Sequence, residues 1–63
     1  MTVAEYRQAV LRCLLDAKRD DGTPRTDEAT AKTYLDSLSD ADLEEGMLFN
    51  EPEEVAAMVL EVI

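Results

Sequence analysis

TVAEYRQAVLRCLLDAKR, Thr2 to Arg19, is the stretch on which the fold turns. Val3, Tyr6, Val10, Cys13, Leu14 and Ala17 recur at steps of three and four, the period of a helix with one apolar face. A half-buried strand would need alternation, and none is present here or further along. Thr2 and Glu5 have the spacing of a capping box, in which each side chain reaches the other's backbone amide. Leu11 and Leu15 widen the apolar stripe beyond what one neighbouring helix would cover. Lys18 and Arg19 are expected in the last turn, where cations suit the helix dipole. Gly22 then fits the left-handed residue after a helix, and Pro24 ends it. The expected helix covers residues 3–19.

Three further helical segments follow. Thr26, with Asp27 and Glu28 behind it, signals a second start. Ala31, Tyr34, Leu35 and Leu38 supply its stripe, and Glu28 and Lys32 stand four apart in the favourable order. This helix is expected over 27–38. Ser39 caps a third helix, expected over 40–47, with Leu43, Met47 and Leu48 inward and Gly46 as the weak point where it stops. Asn50 is expected to open a fourth helix over 51–62, with Pro52 in the first turn and Glu53 repeating the capping spacing. Val55, Ala56, Val59, Leu60 and Ile63 form its core stripe, broadened by Met58 and Val62. The fold class expected is all-α, a compact bundle of three to four short helices in one domain spanning residues 1–63.

Chains of 63 residues bury only about 60% of the surface their unfolded form exposes, and often need a staple. One cysteine and no histidine exclude an intrachain disulfide and the common zinc sets. Stability is therefore expected from close helix packing, or from burial against a copy or a partner. The lone thiol suits a reducing compartment, and no segment reads as a signal peptide or a membrane span, so the expected location is cytoplasmic. The chain reads from Met1 as a complete small reading frame.

Charge is distributed unevenly. Residues 1–25 hold five cations against four acids, and residues 26–63 hold Lys32 alone against eleven acids, for a net charge of −9. Direct binding to nucleic acid or to an anionic membrane is disfavoured, because phosphate contacts need Lys and Arg. The helix count suits a helix-turn-helix reader, but a recognition helix needs Arg, Lys, Asn or Gln, and the helices after residue 26 carry one Lys between them.

No catalytic residue is expected. A nucleophile needs a neighbouring base, histidine is missing, and Cys13 lies on the apolar stripe as a small hydrophobe. Metal ligands and cofactors are not expected either. Asp40, Asp42 and Glu44, with Glu51 twelfth, loosely follow a calcium loop, but the obligatory sixth-position glycine is replaced by Glu45. What remains is the acidic stretch itself. Asp40, Asp42, Glu44, Glu45, Glu51, Glu53 and Glu54, with Phe49 among them, are the candidate partner-binding residues. Individually the acids fit helix N-termini, where they are favoured in any case. Their lack of compensating cations is what that reading leaves over, since soluble helices normally intersperse both signs. Met47, Leu48 and Phe49 either close the core between the third and fourth helices or form an apolar anchor ringed by acids.

The expected function is stoichiometric interaction with a basic protein partner, as an inhibitor, immunity protein, antitoxin, adaptor or nucleic-acid mimic. Small acidic proteins of this kind suit phage and mobile elements. The rival is a homodimer built on Val55, Val59, Leu60 and Ile63, with the charge serving only solubility.

Overall fold

A computed structural model describes residues 1–62, and Ile63 lies outside the described residues. It contains four helices: α1 (Val3–Asp16), α2 (Glu28–Asp36), α3 (Asp40–Phe49) and α4 (Pro52–Val62), with no strand among the described residues. The class is the one the periodicities indicate, a small all-α bundle.

The capping chemistry explains where the helices begin. At α1 the Thr2 hydroxyl accepts from the Glu5 amide at 3.1 Å, and the Glu5 carboxylate accepts from the Thr2 amide at 3.0 Å. Ser39 and Asp42 make the same reciprocal pair at α3, at 3.1 and 3.2 Å. At α2 the cap is Asp27, one residue later than Thr26, because its carboxylate reaches the Thr30 amide at 2.7 Å. These bonds favour the ionised side chain, and they hold the Glu5 and Asp27 carboxyls below their ordinary range. The Glu28–Lys32 pair closes at 2.7 Å along α2.

Several helix ends depart from the sequence reading, and α2 closes at Asp36 rather than at residue 38, with Ser37 as its cap. α1 stops at Asp16, three residues short of Arg19, and Ala17 is already extended. Lys18 pairs with Pro24 in an isolated antiparallel bridge, and the Arg19 and Arg25 amides donate across the turn to Thr23 and Ala17. Asp21 accepts from both the amide and the hydroxyl of Thr23, at 3.0 and 2.7 Å. Local turn chemistry therefore wins over the last helical turn. Lys18 and Arg19 lie outside the helix, and Gly22, at φ +87°, serves the turn rather than the helix terminus.

The α3–α4 junction also shifts. Gly46 does not stop α3, which runs through to Phe49 and is closed by the Asn50 amide donating to the Gly46 carbonyl at 2.7 Å. Asn50 is thus the end of α3 and not the start of α4. The residue before Pro52 is disfavoured in helical conformation, so Glu51 takes the starting position. Its amide donates to the Glu54 carboxylate at 3.1 Å, in place of the Asn50–Glu53 pair expected.

Helix α1 is the axis of the bundle and packs against each of the other three, most extensively against α4. The core is Tyr6, Val10 and Leu14 from α1, Ala31 and Leu35 from α2, Leu43 from α3, and Ala56 and Val59 from α4. Leu11 and Leu15 pack partly buried against it, as a helix with several neighbours requires. Arg7, at the edge of this core, donates to the Leu35 carbonyl at 2.7 Å and to the Leu38 carbonyl at 3.5 Å. Its guanidinium also lies 3.9 Å from Asp36 and 3.5 Å from Asp40. One cation therefore adds a donor to the Leu35 carbonyl near the C-terminus of α2 and ties α1 to the start of α3.

Candidate functional site

Tyr6 organises the most distinctive surface of the molecule. It is buried, and its phenol donates to the Asn50 carbonyl at 3.0 Å, fixing the α3–α4 corner against α1. Burial pushes the phenol above its ordinary range, with further upward pressure from the Glu54 and Glu53 carboxylates. Gly46 of α3 lies over the ring: a β-carbon there would stand 3.4 Å from the Tyr6 oxygen. Around this floor the ends of α2, α3 and α4 leave an open groove of about 350 Å³. Tyr34 lines it from α2, Leu38 from the segment just after α2, Phe49 from α3, and Val55, Met58 and Val62 from α4. Asp42 and Glu45 bring carboxylates to the same lining.

Phe49 does not close the core. It is 75% exposed and Leu48 is 78% exposed, whereas Met47 alone of the triplet packs inward. Three consecutive helical residues fan over roughly 200° of the helix circumference, so they cannot all face one side. With α3 continuing past Gly46, and Tyr6 filling the space beneath it, only Met47 points toward α1. Met58 and Val62 of α4 are likewise exposed, at 50% and 70%. Apart from Met1, every large exposed apolar residue among the described residues belongs to α3 or α4.

The acids singled out from the sequence are all exposed, but they do not form one cluster. Asp42 and Glu45 line the groove with Phe49. Asp40 faces Arg7. Glu44 is exposed and does not line the groove. The Glu51 amide and the Glu54 carboxylate begin α4. Glu53 lies toward the other side of α4, in a shallow depression with Cys13, Asp16 and Leu60. Burial first, then the Glu53 and Asp16 carboxylates, push the Cys13 thiol above its ordinary range, which disfavours the nucleophilic thiolate. No three carboxylate or thiol side chains among the described residues gather into a metal-holding group. Of the candidate calcium loop, Asp40, Asp42 and Glu44 stand on α3, a regular helix, and Glu51 lies beyond it at the start of α4.

The face expected for a homodimer is also divided. Val59 is buried in the bundle's own core, Val55 is half-buried in the groove, and Leu60 turns toward Cys13. Ile63 lies outside the described residues. Tyr6, Tyr34, Leu38, Asn50, Met58 and Val62 belong to the groove without having been singled out for it. Only Met58 and Val62 left a trace in the sequence, as apolar positions in excess of one helical stripe.

No helix among the described residues is long and apolar enough to cross a membrane. Comparison with models of known protein families, with curated proteins and with solved structures finds no match to this chain.

Proposed function

We propose that this protein is a small binding module that acts stoichiometrically on a basic protein partner through its α3–α4 half. The observation that carries this reading is the coincidence on one half of the molecule of exposed apolar side chains and uncompensated acids. Leu48, Phe49, Met58 and Val62 are exposed there, and no Lys or Arg follows Lys32 in the sequence. Arg7, whose guanidinium reaches Asp40 of α3, is already engaged with the Leu35 and Leu38 carbonyls and with Asp36. Apolar anchors within an acidic surround give area for affinity, and a field that steers a basic surface toward them. Chemistry on a substrate has no comparable support, since the free thiol is held protonated and histidine is absent. The unpaired cysteine suits a cytoplasmic setting, where thiols stay reduced.

The test is affinity capture from the source cells followed by reconstitution with the purified partner. The expected partner is basic, binds one to one, and loses retention as salt rises from about 50 to about 500 mM, because screening shortens the reach of the charges. Salt-insensitive retention, or a partner without a basic surface, overturns the reading.

Self-association is the second reading, and the same exposed apolar residues favour it. It predicts a dimer by light scattering that dissociates on dilution and on Phe49→Asp. A monomer throughout removes it.

A further inference from the structure

We infer that the groove over Tyr6 takes the apolar face of a basic amphipathic helix, with the helix's cations set against Asp42 and Glu45. This rests on the reading of the chain as a binder of a basic partner, and it names the site and the form of the ligand. Four features of the groove point to it.

Its floor is apolar and preformed: Tyr6, Val55 and Val59 are held by the core, and the Tyr6 hydroxyl is satisfied by Asn50. Its rim carries Phe49, Met58 and Val62, three large apolar side chains that the bundle leaves in water. The charges in its lining are carboxylates, Asp42 and Glu45, with no cation among them. Its walls are mainly helices, whose interior backbone groups pair along the helix, with Leu38 and Asn50 at their ends, and no strand edge exists among the described residues.

The last feature selects the form of the occupant. An extended segment would bring unpaired amides and carbonyls to walls that offer few in return. A helix satisfies its own backbone and presents side chains at i, i+3 and i+4, the usual mode of helix-in-groove recognition. About 350 Å³ has room for a pair of large apolar side chains one turn apart. Residues flanking such a pair project toward the α3 wall, where Lys or Arg would meet Asp42 and Glu45. A second copy of this chain is the poorer occupant, since it would bring another net charge of −9 toward the same carboxylates.

The experiment uses the isotope-labelled full chain and three synthetic peptides, each about four helical turns long. One is a Leu/Lys helix with Leu on one face, one has the same composition with Leu scattered around the helix, and one is a Leu/Glu helix with the first pattern. The expected result is that the amphipathic Leu/Lys peptide binds and shifts the amides of Gly46, Asn50 and Met58. Phe49→Ser should weaken that binding about tenfold, and Glu45→Lys should weaken it and reduce its salt dependence. The scattered peptide should bind at least tenfold more weakly, and the Leu/Glu peptide should not bind.

Equal binding of the amphipathic and scattered Leu/Lys peptides, with shifts spread over all the acidic positions, overturns the groove while leaving the basic-partner reading intact. Failure of both Leu/Lys peptides at low salt, or equal binding of the Leu/Glu peptide, overturns both. Groove amides that shift on concentrating the protein alone assign the groove to a second copy and overturn the inference.

Discussion

Helices α1 and α3 are both rich in apolar residues, yet they use them differently. In α1 the large apolar side chains follow one stripe, and Tyr6, Val10 and Leu14 are buried while Leu11 and Leu15 pack beside them. In α3 only Leu43 is buried, and Leu48 and Phe49 stand in water. The difference is one of pattern and of place in the bundle rather than amount. Apolar residues at three- and four-residue steps stack on one side of a helix, whereas a consecutive triplet fans around it. The axis helix carries both patterns, but with neighbours on several sides it covers its own triplet, Cys13, Leu14 and Leu15, whereas the peripheral α3 packs chiefly against α1. Apolar surface that costs stability when exposed is thus concentrated on the half that also holds the uncompensated acids.

Substitutions can break this contrast or sharpen it. Leu14→Ala should have the largest effect. It leaves a cavity on the axis helix and should cost about 2–5 kcal/mol, which for so small a core means loss of the cooperative melt followed by circular dichroism. A retained melt with a small shift would show that α1 is not the organising helix.

Tyr6→Phe addresses the tie between the two regions. It keeps the ring and removes the hydroxyl that joins α1 to the Asn50 carbonyl, with an expected loss of about 1 kcal/mol in urea denaturation. It also has a pH signature. Because burial raises the Tyr6 phenol in the folded state, the stability it contributes is fully present below the unfolded tyrosine value and is lost as pH rises through the folded one. Above about pH 10 the wild-type chain should therefore lose stability more steeply than Tyr6→Phe. Parallel alkaline limbs would mean that the phenol is not held by the α3–α4 corner.

Phe49→Ser should have the smallest effect on the fold. An exposed side chain away from caps and core should change stability by less than about 0.5 kcal/mol. A loss comparable to that of Leu14→Ala would place Phe49 in the core after all, and would remove the contrast between the helices.

Much of the architecture was legible because it depends on near neighbours in the chain. The Thr2–Glu5 and Ser39–Asp42 capping pairs, the Glu28–Lys32 pair and the apolar stripes of α1 and α2 are interactions within one or two helical turns. The misread ends have local causes too, but competing ones: the Asp21–Thr23 turn displaced the last turn of α1, and Pro52 pushed the start of α4 from Asn50 to Glu51. The candidate site was less legible. Asp42, Glu45 and Phe49 were singled out on charge and apolarity, and they do meet at the groove. Glu53 and Asp40 were singled out on the same grounds and face elsewhere, because sequence proximity does not say which side of a short helix meets its neighbours.

Periodicity, caps and charge count are properties of the chain taken a few residues at a time. They were enough to indicate three to four helices, an apolar face on the first, and an acidic half beyond it. Packing made the remaining choices. Once α1 lies at the centre and Tyr6 occupies the space beneath Gly46, there is room for Met47 and none for Leu48 or Phe49. Tyr6 and Asn50 are 44 positions apart, and Arg7 and Leu35 are 28 apart. Such contacts exist only when the helices are docked, and no local pattern marks either partner. The groove is a consequence of that docking, since its floor, walls and rim come from all four helices.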